Sequence, residues 1–144
     1  MWQRAGQLAQ ADIARNSEDP FAWFNLGSAL VRLAQETGEH RFNGDAVAAF
    51  DHARQLGLPW RMLWYQFTPY EAYLAAGRNE DVLVLAEATL SSTGGQFVEE
   101  THYYYGMALA AIGDSDRATS SLQQALLVNP FYSVAENALA EMEN

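Results

Sequence analysis

The chain contains no cysteine and no lysine. Without cysteine there is no disulfide, no thiolate zinc site and no cysteine nucleophile. The missing lysine excludes Schiff-base chemistry and the phosphate-loop motif that requires one. Positive charge is scarce: eight arginines stand against 18 acids, for a formal net charge of −10. That balance argues against nucleic acid or an anionic membrane as partner. No apolar run approaches the roughly 18–20 residues of a membrane helix, and Met1-Trp2-Gln3-Arg4 leads into no signal-peptide core. Proline-rich and serine-rich tracts are also missing, and hydrophobic residues make up 49% of the 144 positions. Disorder is therefore excluded, because a chain of this length and composition can bury a real core. No stretch alternates with a period of two over strand length, so no sheet is expected.

What is present is a period. Ala46, Val82 and Ala118 are spaced by 36 residues, as are Phe50, Ala86 and Leu122, and Ala53, Thr89 and Ala125. Within each set the offsets of four and three place the residues on one helical face. Upstream lie Leu26-Gly27, Pro69-Tyr70 and Tyr105-Gly106, with the last two again 36 apart and the first two 43 apart. The difference leaves seven extra residues near 37–43. Two helical faces per unit, repeated in the mid-thirties, predict stacked helical hairpins. Stop signals place helices near 3–15, 20–35, 44–56, 60–76, 79–90, 98–112, 114–127 and 132–142. The longest of these should break or kink near Thr68. There Thr68-Pro69-Tyr70-Glu71 reads as a capping box with proline at the first helical position.

Residues 20–130 resemble the tetratricopeptide repeat (TPR) family. The first copy reads Trp23-x2-Leu26-Gly27-x2-Leu30, then Ala46-x3-Phe50-x2-Ala53. The third reads Tyr105-Gly106-x2-Leu109-x3-Gly113-x4-Ala118-x3-Leu122-x2-Ala125-x4-Pro130. The second is degenerate, with Pro69-Tyr70 for Leu-Gly and Gln66 where a large apolar residue is expected. The resemblance implies an all-α domain over 1–144: a TPR helical-hairpin solenoid of about three repeats. Its units would be a half-repeat at 1–19, repeats at 20–58, 59–96 and 97–130, and a capping helix at 131–144. Ala5, Ala9 and Ile13 fit the second helix of a preceding unit, with Trp2 and Leu8 on its apolar side. This leaves an open N-terminal end for further chain, another subunit or a second copy. Glu136, Asn137, Glu141 and Glu143 give the last helix a wet face. A narrower likeness, from Gly57-Leu58-Pro59-Trp60 through Asp81-Val82-Leu83, is to the TPR tails of bacterial papain-like cysteine peptidases of the bacteriocin-processing type. It implies a non-catalytic C-terminal accessory module.

In TPR proteins the first helix of each unit lines a concave groove that holds peptides. By spacing from Gly27, that side would show Phe21, Phe24, Asn25, Ser28, Val31 and Arg32. From Tyr70 it would show Trp64, Phe67, Thr68, Glu71 and Leu74, and from Gly106, Glu100, Tyr103, Tyr104, Met107 and Ala110. The expected partner-contacting residues are Phe21, Phe24, Asn25, Trp64, Phe67, Glu71, Tyr103, Tyr104 and Met107. Such a surface suits an apolar or basic protein segment. The lysine–asparagine–arginine clamp by which some TPRs hold acidic tails has no counterpart, since Phe24, Ser28, Thr68, Glu100 and Tyr104 occupy the comparable positions. The alternative is that these aromatics pack beneath the N-terminal helix or the seven-residue insertion.

Chemistry-bearing residues have plainer roles. His102 takes the place of Trp23 in its repeat and should pack between paired helices. His40 beside Glu39 could join Asp45 at a weak metal site, although a solvated loop is the simpler expectation. His52 should face water. Glu80-Asp81 and Glu99-Glu100 open helices, where negative charge opposes the dipole by about 0.3–1 kcal/mol. Neither catalytic residues, nor a metal site, nor a cofactor is assigned, and the chain is expected not to be an enzyme. Its expected function is protein–protein interaction through the groove. A purely structural or dimerising domain is the second reading, and a small-molecule hydrolase pocket using Glu71 and His102 the third.

Overall fold

The computed structural model describes residues 1–144, the side chain of Trp60 excepted, and contains helices and turns with no strand among the described residues. The chain is all-α. Its helices are α1 (Trp2–Arg15), α2 (Pro20–Thr37), α3 (Arg41–Gln55), α4 (Thr68–Ala75), α5 (Asn79–Leu90), α6 (Glu99–Ala111), α7 (Ser115–Val128) and α8 (Ser133–Glu143). Single 3₁₀ turns lie at Trp60–Trp64 and Gly95–Phe97. Side chains set several of these limits. Asp19 caps α2 by accepting from the Phe21 amide at 2.9 Å, with Pro20 at the first helical position. Asp114 caps α7 by accepting from the Arg117 amide at 3.2 Å.

The structure differs from the sequence-based helix limits in two places. The extra residues near 37–43 form no extended polar loop: α2 runs on to Thr37 and α3 begins at Arg41. Gly44, near which the helix was expected to begin, lies inside α3, where the buried Ala46, Val47 and Ala49 anchor the helix despite a glycine cost of about 1 kcal/mol. The second difference lies around Thr68. The break falls where proline requires it, and Gln66 sits in the gap between the 3₁₀ turn and α4, exposed to water. However, the capping box does not form. Thr68 shares a 2.8 Å hydrogen bond with Ser28, and Glu71 turns to Arg32 and Gln35.

The chain divides into two compact units, residues 1–59 with 68–77 and residues 60–67 with 78–144, so the division runs through the stretch expected to form the second repeat. In the first unit α2 packs on α1 and α3, and α4 packs on both α2 and α3. Phe24 and Phe50 meet edge-on with centroids 5.4 Å apart at the centre, each almost fully buried. A Cβ added to Gly27 would lie 2.7–2.9 Å from the Phe50 ring, so that ring occupies the space a side chain would need. A polar anchor joins α3 to α4. The Tyr73 hydroxyl donates to Asp51 at 2.7 Å and accepts from Arg54 at 3.2 Å, and burial pushes its pKa up to about 12.

In the second unit α6 packs on α5 and α7, α7 packs on α8, and the Trp60–Trp64 turn lies on α5. Here Leu122 fills the space above Gly106, 3.0 Å from where a Cβ would stand. Beside it, Ala125, Ala135 and Ala138 form the buried seam against the last helix. Glu136, Asn137, Glu141 and Glu143 are exposed on the opposite side of α8.

The fully buried Phe50 ring has little room to give way. Gly27→Ala should therefore cost about 1–3 kcal/mol from overpacking, less up to about 1 kcal/mol of helix propensity regained. A lowered denaturant midpoint checks this; an unchanged one would mean that the ring moves freely. Phe24→Ala should cost about 3–5 kcal/mol in the same assay.

Candidate functional site

The residues expected to contact a partner separate into three groups. In the first unit, Phe24 is only 2% exposed. It is a core residue whose spacing on α2 mimics a surface position, because α4 and α3 cover that side of the helix. Val31 and Thr68 are buried as well, Thr68 against Ser28 of α2. Phe21 and Asn25 are exposed, one turn apart at the start of α2, with Phe21 held by the Asp19 cap. Glu71 is half-buried and already matched: Arg32 Nη1 donates to its Oε1 at 3.3 Å and Gln35 Nε2 does so at 3.5 Å. Its Oε2 lies 3.3 Å from the same arginine nitrogen, without the alignment of a hydrogen bond.

In the second unit, the aromatic residues come together. Phe67 stacks on Tyr104 with centroids 6.2 Å apart and planes 29° apart. Tyr104 meets Tyr103 edge-on at 5.1 Å, and Tyr103 meets Tyr132 edge-on at 5.8 Å. Four rings thus form a continuous row, each half-buried. The sequence pattern contains the first three but not Tyr132, which follows Pro130 in the turn before α8. The sequence signal for it was the aromatic pair Phe131-Tyr132 directly after Pro130. The outer end of the row is tied down, because Tyr103 and Met107 pack against the seam between α7 and α8. Trp64 stands apart from the row. Its ring lies 5.5 Å beneath the Arg61 guanidinium and against Gly94, whose φ of 90° turns the loop onto it.

Glu100 completes this face. Positions 100, 103, 104 and 107 follow the i, i+3, i+4, i+7 rule, so the carboxylate lies on the same stripe of α6 as the tyrosines. Burial pushes its pKa above the ordinary 4.5, its own backbone amide pulls it down, and the charge of Glu99 raises it further. The dipole benefit expected at this helix start is thus opposed by desolvation. Glu99 is engaged elsewhere, accepting from Asn129 at 3.1 Å.

The histidines fall into place by their partners. His102 Nε2 lies 2.8 Å from the Gln96 carbonyl oxygen, and Ser121 donates to the His102 carbonyl at 2.7 Å, which pins α6 to α7. His52, expected in water, is half-buried with its ring 4.2 Å from that of Trp23. Glu71 and His102, weighed as an acid–base pair, are each bonded to their own neighbours as described. Among the described residues, no group of three His, Asp or Glu side chains is arranged to hold a metal and no helix is long and apolar enough to cross a membrane. Comparison with family models, curated proteins and solved structures finds no match to this chain.

Because folding raises the Glu100 pKa, it favours the protonated carboxyl. The stability this contributes is present below the unfolded value and is lost as pH rises through the folded one. Glu100→Gln, neutral throughout, should therefore melt above the native chain at pH 7. The two should coincide at about pH 3, where both side chains are uncharged. Melting curves at the two pH values check the sign.

Proposed function

We propose that this chain is a non-catalytic protein-interaction module of TPR type, and that the aromatic face of α6 is its recognition surface. The observation that carries this reading is the row Phe67–Tyr104–Tyr103–Tyr132, four half-buried rings beside a desolvated carboxylate. Aromatic rings left partly open in a contiguous patch are the side chains that dominate binding energy at interfaces. The TPR reading is supported by the repeated packing of a large side chain onto a glycine, Phe50 on Gly27 and Leu122 on Gly106. A net charge of −10 favours a basic or apolar segment as partner.

The structural alternative, docking or dimerisation through α1, has less in its favour. Trp2 is half-buried and only Met1 and Leu8 are large exposed apolar residues on that segment, among Gln3, Arg4, Gln7, Gln10 and Arg15.

A random-peptide display selection on the native chain, run beside Tyr104→Ala, tests the recognition surface. Peptides should be enriched by the native chain and lost in the variant, with helical circular dichroism retained. Enrichment that survives Tyr104→Ala unchanged would place recognition elsewhere.

A further inference from the structure

The rings of the second unit already attract guanidinium groups. Arg61 lies 5.5 Å over Trp64 and Arg117 lies 5.9 Å over Tyr105. Both arginines come from within the unit, and so does Arg78, which is bonded to Asp81 at 2.8 Å. Arg117 also donates to the Tyr105 hydroxyl at 2.6 Å and pairs with Asp114 at 3.4 Å. All three arginines of this unit are therefore committed to other groups. Glu100 is a half-buried carboxylate whose pKa is raised by burial and by the charge of Glu99, against the pull of its own backbone amide. Next to it on the same stripe of α6 are Tyr104, stacked on Phe67, and Tyr103, set edge-on to Tyr104.

We infer that Glu100, Tyr104 and Phe67, flanked by Tyr103, form a subsite for one arginine side chain of a basic peptide segment. The reading rests on α6 being the recognition surface. Ring faces carry negative potential and attract a cation held within about 6 Å of the centroid. A carboxylate one helical turn away supplies the full opposite charge. Guanidinium suits this combination better than ammonium. It is planar and weakly hydrated, so it stacks on a ring while its N–H fork engages the carboxylate. The positive charge of a bound guanidinium would also offset the desolvation penalty that now disfavours the charged form of Glu100. The acidic surface of the whole chain draws a basic segment toward it.

The test is an NMR titration of the full chain with Nα-acetylarginine amide, in about 0.15 M salt so that loose surface attraction is screened. Nα-acetylcitrulline amide, of equal shape without the charge, and Nα-acetyllysine amide are run beside it. The arginine amide should give saturable shifts confined to Glu100, Tyr103, Tyr104 and Phe67. Affinity should fall about tenfold in Glu100→Gln and in Tyr104→Leu, as expected on losing a charge-assisted contact or a ring face. Citrulline amide should give no saturable shift, and lysine amide should bind more weakly than arginine amide. Shifts spread over the surface without saturation, equal affinity in Glu100→Gln, or equal binding of the lysine probe would each overturn the subsite. Display peptides that are lost in Tyr104→Ala yet carry no arginine would overturn it too, while leaving the recognition surface standing. If no peptide is enriched at all, both readings fall.

Discussion

Both units depend on one steric arrangement, a helix brought against its neighbour until a large side chain rests on the backbone of a glycine. Gly27 receives the Phe50 ring and Gly106 receives Leu122. Alanines at 46, 53, 118 and 125, all buried, line the same approaches and cost nothing in helix propensity. Dispersion and apolar burial accumulate over these close contacts, and little side-chain entropy is lost because the residues are small. Everything that faces outward inherits its position from them. Tyr103 and Tyr104 point where they do because Gly106 and Leu109 have fixed the other side of α6.

The two units use this packing for different ends. In the first, α4 closes over α2 and α3, and the polar groups it brings find partners: Thr68 with Ser28, Glu71 with Arg32, Tyr73 with Asp51 and Arg54. A face so thoroughly matched retains little to offer a partner beyond Phe21 and Asn25. The second unit satisfies its arginines on Trp64, Tyr105, Asp81 and Asp114 and leaves Glu100 beside the tyrosines. Glu71 held by Arg32 in one unit, against Glu100 beside the tyrosines in the other, is what points to α6 as the recognition surface.

Much of this was legible along the chain. The period of 36 and the stop signals, with the break before Pro69, marked the helices, since each acts through its own backbone neighbourhood. The small positions and the large residues that fill them were likewise visible as a recurring pattern. Phe24 was misplaced because a helical stripe tells which residues share a face and not what lies on top of it. His52 went wrong in the same manner, its partner Trp23 being 29 positions away. The helix expected from about residue 44 begins at Arg41 instead, because the buried neighbours of Gly44 carry it.

The sequence by itself determined that the chain is helical, where most helices start and stop, and which faces are apolar. These are local consequences of periodicity, capping and the absence of strand patterns. Tertiary structure alone decided which apolar faces are spent on the core. It buried Phe24 and gave Glu71 a counter-ion. It also assembled Phe67, Tyr103, Tyr104 and Tyr132 into one row from segments up to 65 residues apart. Burial and charge pairing depend on what stands opposite a residue in space, and a one-dimensional pattern does not carry that information.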